Sequence, residues 1–285
     1  MVKIITDTTA CLPPLFAERN HIPVIPQIIN FGNETFYEGV DLDNAGFMER
    51  LRKSSELPKT AAPPPELFLE AFEKLAPAGE PILCIHPSAE VSGTVRSATL
   101  ARADFTADKK SETVDIRVID TRTVGSALGT FVELAAQWAA EGQTANQIVT
   151  GLENLIPRSR VYFLVATLEY LQRGGRIGGA KALLSSALQI RPILCIHDGR
   201  VDRYETERTN KRALARLKQI VIEQIPQDGS GFLSVMHAGV PEEAQALAEE
   251  LGRLVNQPDV AVYDVPPAIA THGGPGILAA SFIVS

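Results

Sequence analysis

Short apolar runs alternate with longer helical patterns along this chain, and that order constrains its fold more than any other feature. Residues 2–5, 81–85 and 116–119 each read as a short buried strand. A helical pattern begins soon after the second run, over 95–103, and another follows the third, from about 125 to 140. Further helical patterns cover 43–51, 65–75 and 144–155. The middle one opens on Pro65 and lines up Leu67, Phe68, Phe72 and Leu75 on one stripe. Strand, loop and helix in this order predict right-handed crossovers and a mainly parallel sheet.

The second half reads differently. Residues 161–165 form a strand, and the runs 193–196 and 201–206 flank Asp198-Gly199, a strong hairpin signal. A basic helix over about 209–224, a strand at 232–236, a helix over 241–255 and a strand at 260–263 follow. Parallel and antiparallel pairing must therefore mix. The expectation is an α/β protein of two α/β domains, residues 1–158 with a mainly parallel sheet and residues 159–285 with a mixed one.

Composition narrows the function classes. The chain is 45% hydrophobic and 21% charged, an ordinary soluble balance, and its 6% aromatics leave the core mostly aliphatic. A net charge of -7 argues against general nucleic-acid binding. Cys11, Cys84 and Cys195 lie far apart, each in or beside an apolar run, and read as buried free thiols. No Cys/His cluster has zinc spacing, and no cofactor is implied. Asp7 interrupts the stretch a signal peptide would need. No apolar segment approaches the roughly 20 residues that span a bilayer, so no stable membrane insertion is expected and the cytoplasm is the default compartment.

Chemistry in a parallel α/β sheet gathers beyond the carboxyl ends of the strands. Three polar loops fall there: Thr6-Asp7-Thr8-Thr9, Glu90-Val91-Ser92-Gly93-Thr94 and Asp120-Thr121-Arg122-Thr123. Ser92 fits a helix cap, and the same helix start, with Gly93 and Thr94, suits an anion through its unpaired N–H groups. Lys59-Thr60-Ala61-Ala62-Pro63-Pro64-Pro65 is a rigid extended lead-in to a helix, either a plain linker or a loop that faces a site through Thr60. Near the end, Ala270-Thr271-His272-Gly273-Gly274-Pro275-Gly276 reads as a tight turn after a strand-like run, with His272 at its mouth. Ser92, His272 and Asp7 or Asp120 could also compose a serine hydrolase, although E-V-S-G-T is not a nucleophile elbow. Finally, residues 171–218 hold eleven Lys/Arg against four Asp/Glu, on an otherwise acidic chain. This window is either a solvated helix face and hairpin or a docking face for an acidic partner or phosphate.

Taken together these stretches resemble the DegV family of bacterial fatty-acid-binding proteins. The resemblance rests on ITDTTACLP, TAAPPPELF, VSGTVRSA, VIDTRTVGSALG, LEYLQRGGRIGGAKALLSSALQIRPIL and ATHGGPG, which occur in the family's order across nearly the whole chain. It implies two α/β domains with one long-chain fatty acid between them, its acyl chain in an apolar tunnel. It places the carboxylate against Thr60, Ser92 and His272, with Ala61, Gly93, Thr94 and Gly273 beside them. It also implies a non-catalytic carrier that presents the fatty acid to a fatty acid kinase, the resulting acyl phosphate feeding phospholipid synthesis. Arg173, Arg176, Arg200 and Arg203 are then the candidate kinase-docking residues. Two departures stand out. Thr60-Ala61-Ala62-Pro63 replaces the common T-S-Q-P, and Ala270 replaces a glycine ahead of the histidine motif. The first leaves open a small-molecule sensor with a changed ligand.

Overall fold

The computed structural model describes residues 1–54, 56–107, 114–185 and 190–284. Residues 186–189, inside the long glycine- and arginine-bearing motif, lie outside the described residues. In chain order the strands are β1 (Lys3–Asp7), β2 (Val24–Ile25), β3 (Ile28–Phe31), β4 (Glu34–Tyr37), β5 (Lys59–Ala61), β6 (Ile82–His86) and β7 (Ile116–Asp120). They continue as β8 (Ser159–Leu164), β9 (Arg191–His197), β10 (Arg200–Glu207), β11 (Ser234–His237), β12 (Ala261–Asp264) and β13 (Leu278–Ile283).

The fold is α/β, as expected. A four-stranded sheet, ordered β2-β1-β6-β7, is parallel throughout. Its strands alternate between two apolar faces. Ile4, Leu83, Ile85 and Ile119 face the helices Ser126–Ala140 and Ala145–Leu155 through Phe131, Ala135 and Ile148. Ile5, Ile82, Cys84 and Ile116 face the helices Pro65–Leu75 and Thr94–Ala107 through Phe68, Phe72 and Ala101. Both faces are covered, which suits a parallel sheet.

A six-stranded sheet, ordered β10-β9-β8-β13-β11-β12, is mixed: only β11 and β12 pair in parallel. Asp198-Gly199 forms the expected hairpin turn between β9 and β10, with φ of 48° and 79°. Positive φ at both central residues matches the twist of the flanking strands. One face of this sheet packs Tyr162, Ile193, Val235, Ala280 and Phe282 against the helices Asn210–Gln224 and Pro241–Leu254. The opposite face, with Val161, Phe163, Val201, Met236 and Ala279, turns toward residues of the first half. Ser126, at the first residue of its helix, bonds Ser281 (2.9 Å) and Ser234 (2.8 Å), tying that helix to β13 and β11.

Three expectations are corrected. A three-stranded antiparallel sheet, β4-β3-β5, stands where no strands were expected, and Lys59-Thr60-Ala61 is one of its two edge strands. Thr6 and Asp7 complete β1, and Thr8–Ala10 forms a 3-10 turn rather than an open loop. Between β12 and the closing glycines lies the helix Pro267–Gly273, so His272 sits in the last turn of a helix and not at the mouth of a tight turn. Pro267 at the first helical position starts that helix, and Gly274, at φ 79°, ends it.

Candidate functional site

Most of the candidate cavity's walls come from where a strand ends or which face it shows. Thr9 follows β1, Pro87 and Ser92 follow β6, and Val124 and Gly125 follow β7. These are the carboxyl ends of the parallel strands, the expected place for a ligand. The facing wall is the second sheet's inner face, with Val161, Phe163, Val201, Met236 and Ala279. Ile269, His272 and Ile277 close one side, and Thr60 and Ala62 another. Together they enclose a narrow, mostly apolar channel with a cavity volume of about 140 Å³.

Polar groups concentrate at one corner. Thr60 Oγ1 lies 2.8 Å from His272 Nε2, joining β5 to the C-terminal helix across the two halves. Ser92 Oγ lies 2.8 Å from Thr94 Oγ1 and accepts the Thr94 N–H at 3.3 Å. Ser92 therefore bends the chain one residue ahead of the helix cap position, which Gly93 occupies. A side chain on Gly93 would press on Ala62 Cβ at 3.2 Å, so glycine there lets the Ser92 corner sit against the Thr60 strand. Arg176 Nε donates to Val91 O (3.1 Å) and its Nη1 to Gly174 O (2.8 Å), bringing the guanidinium to the same corner. Position 174 requires glycine because a Cβ there would collide with His272 Nδ1.

Burial sets the charge of the histidine. Desolvation, with help from Arg176, pushes His272 down to about 4, so the ring is neutral near pH 7. Its Nδ1 is buried without a hydrogen-bond partner among the described residues. Orphaned buried N–H groups are rarer than under-satisfied acceptors. That favours the proton on Nε2, donated to Thr60, which frees the Thr60 hydroxyl hydrogen for the cavity.

Behind the corner lies a buried polar network that ties Asp7, Thr9 and Thr94, which belong to quoted motifs, to Gln27 and His86, which belong to none. The Asp7 carboxylate accepts from Thr9 N (3.0 Å), Thr9 Oγ1 (2.6 Å) and Gln27 Nε2 (3.0 Å), and faces His86 Nδ1 at 2.8 Å. Gln27 Nε2 also donates to Thr94 Oγ1 at 2.9 Å. A second buried acid, Glu38, accepts from Thr8 Oγ1 and from Ala268 N (2.9 Å), so it holds the start of the helix that carries His272. Burial, reinforced by Asp7, pushes Glu38 up to about 7 against the opposing pull of its two donors.

Six of the residues singled out in the sequence line the cavity: Thr60, Ser92, Gly93, Arg176, His272 and Gly273. Ala61 and Thr94 do not line it; Ala61 is exposed on the outer face of β5 and Thr94 is fully buried behind Ser92. Arg173 pairs with Glu169 at 2.8 Å, Arg200 with Glu90 at 2.7 Å, and Arg203 is exposed on β10. Thr9, from the first of the three polar loops, also lines the cavity, whereas Gln27 was missed. The hydrolase geometry is not assembled: Ser92 bonds Thr94, His272 bonds Thr60, and Asp7 orients His86 instead of His272. Among the described residues no cluster of three His, Cys, Asp or Glu could hold a metal, and no helix is long and apolar enough to cross a membrane. Cys84 and Cys195 are buried free thiols, and Cys11 is a half-buried one.

Comparison with known proteins gives consistent matches over the full length. A family model described as an uncharacterised protein of the DegV family matches residues 1–285. A DegV domain-containing protein of Streptomyces coelicolor is 36% identical over 282 residues, covering 97% of this chain and 96% of that one. The crystal structure of DegV, a fatty acid binding protein from Bacillus subtilis, superposes with a TM-score of 0.87 at 30% identity, covering 100% of this chain and 99% of its own. A fatty acid binding DegV family protein from Streptococcus agalactiae superposes with a TM-score of 0.90 at 26% identity, with the same coverage.

Proposed function

This chain belongs to the DegV family, and on that premise we propose that it binds one long-chain fatty acid non-covalently between residues 1–158 and 159–285, taken as two domains. The acyl chain lies in the narrow channel and the carboxylate meets Ser92 and Thr60, with His272 behind Thr60 holding its hydroxyl toward the ligand. The observation that carries this reading is the contrast within one cavity: aliphatic walls along its length and a single corner of hydroxyls, a neutral histidine and Arg176. Burying a CH₂ contributes roughly 0.8 kcal/mol, so about sixteen carbons supply on the order of 10 kcal/mol before association costs. An ionised head group taken from water needs donors in return. The corner offers the two hydroxyls, and the Arg176 guanidinium supplies positive charge that the neutral ring does not.

Extraction of the purified protein with organic solvent, followed by mass spectrometry, tests the reading. One equivalent of fatty acid is expected from the wild type, and much less from folded Ser92→Ala and His272→Ala. Undiminished occupancy in both variants would refute the head-group assignment. A different small molecule in the extract would point to a sensor that kept the fold and changed its ligand, the reading that Ala61-Ala62 raised.

We further propose that the protein presents its fatty acid to a fatty acid kinase, for phosphorylation toward phospholipid synthesis. The support is the basic window: Arg200 and Arg203 stand exposed on β10, whose Val201 also lines the cavity, and Arg173 lies three residues from Arg176. Charge reversal at Arg203 should slow kinase-dependent phosphorylation and leave lipid retention intact. Unaltered turnover would remove Arg203 from the docking face.

A further inference from the structure

The network behind Ser92 has a direction, and the direction can be worked out atom by atom. A backbone N–H can only donate, so the Asp7 Oδ1 that meets Thr9 N is an acceptor. The Asp7 carboxylate sits at the base, fully buried, with Thr9, Gln27 and His86 all turned toward it. Gln27 must therefore present its NH₂ end, since its carbonyl would repel the acid. One amide hydrogen goes to Asp7 and the other to Thr94 Oγ1. Thr94 is also fully buried, and its hydroxyl hydrogen needs an acceptor. With Gln27 in the donor role, the acceptor at hand is Ser92 Oγ at 2.8 Å. Ser92 Oγ then receives two hydrogens, from the Thr94 hydroxyl and the Thr94 N–H. Both its lone-pair directions are engaged, and only its own hydrogen remains for the cavity.

We propose that Gln27, anchored on Asp7, is a positioning residue that fixes the Ser92 hydroxyl as a proton donor and so selects a ligand whose head group accepts hydrogen bonds. The inference rests on the reading that an acid head group meets Ser92, and deepens it. Ser92 unaided is ambivalent, because a serine hydroxyl donates and accepts equally well. The relay Asp7, Gln27, Thr94, Ser92 removes that ambivalence. An acid head group finds the donor already aimed, while an amine finds no acceptor at Ser92. Gln27 is 3% exposed and lies 67 residues before Thr94, so its part in the site comes entirely from the fold.

The test is a thermodynamic cycle on delipidated protein with two probes, hexadecanoic acid and hexadecan-1-ol. Gln27→Leu should weaken the acid about tenfold, the worth of one hydrogen bond to a charged group. It should weaken the alcohol less, because an alcohol can pair with Ser92 in either orientation. In the Ser92→Ala background, Gln27→Leu should change acid affinity less than about twofold, since the relay has lost its outlet. An equal loss for both probes, or a loss of the same size with and without Ser92, overturns the proposal while leaving the head-group reading intact. If Gln27→Leu does not fold, Thr94→Val keeps the shape, drops the relaying hydroxyl and decides by the same cycle. If wild type takes up no acid, or Ser92→Ala alone leaves acid affinity unchanged, the head-group reading fails and the relay falls with it.

Discussion

Replacing Glu38 with glutamine should flatten one component of the protein's pH-dependent stability. Glu38 is 3% exposed and raised from 4.5 to about 7, chiefly by burial. Between those two values the folded protein holds this proton and the unfolded chain has released it. Stability from this group is therefore fully present below pH 4.5 and lost as pH rises toward 7. At about 1.36 kcal/mol per pH unit, the loss is on the order of 3 kcal/mol, a large share of a typical domain's stability. His272 runs the other way, since burial lowers it from 6.5 to about 4. Its contribution is present above 6.5 and lost as pH falls to about 4, so the two slopes largely cancel between 4.5 and 6.5. A wild-type titration alone would look deceptively flat. The difference between wild type and Glu38→Gln removes the histidine, which both share. Glutamine keeps the shape, its oxygen can still accept from Ala268 N, and it cannot titrate. Urea unfolding of delipidated protein, at fixed ionic strength from pH 4 to 8, measures the difference. It should move by about 3 kcal/mol in favour of the variant as pH rises from 4.5 to 7, and level off above. A difference that stays constant over that window would refute the idea that Glu38 stays protonated inside the fold.

Two further outcomes follow from the same corner. Gly174→Ala places a Cβ into His272 Nδ1 and 3.0 Å from the Tyr170 carbonyl. It should cost about 1–3 kcal/mol of stability and sharply reduce bound lipid, and extraction of a folded variant with full occupancy would contradict the packing described. Arg176→Leu removes the smaller of the two influences on His272. The ring's NMR titration midpoint should rise above about 4 yet stay below 6.5, because burial remains, and an unmoved midpoint would show that Arg176 has no share.

Much of this is legible in the chain itself. The helix Pro65–Leu75 begins at its proline and ends with its apolar stripe, and Asp198-Gly199 makes its hairpin, because both signals are local. Thr60, Ser92 and His272 were legible through ordered motifs. The three-stranded sheet was not. Its strands have three or four residues, too few to show a period, and three prolines made β5 look like a linker. Gly32-Asn33 between two short runs is the one hairpin signal that this sheet's sequence carries. Gln27 and Glu38 carry no motif, and their roles depend on partners 67 and 230 residues away. Arg176 was assigned to the surface by charge counting, which cannot see that its guanidinium folds back onto the Val91 carbonyl.

The position of β13 has a consequence for how the protein comes into being. That strand is inserted between β8 and β11, pairing with both, although β8 is synthesised more than a hundred residues earlier. Until residues 278–283 leave the ribosome, the second sheet exists as two unjoined pieces with bare edges, and the channel lacks Ala279 in its wall. Such long-range pairing closes slowly and leaves sticky intermediates. A nascent chain can fold its parallel sheet early, but the channel gains this wall only once β13 is in place, so the proposed ligand has no closed site before then.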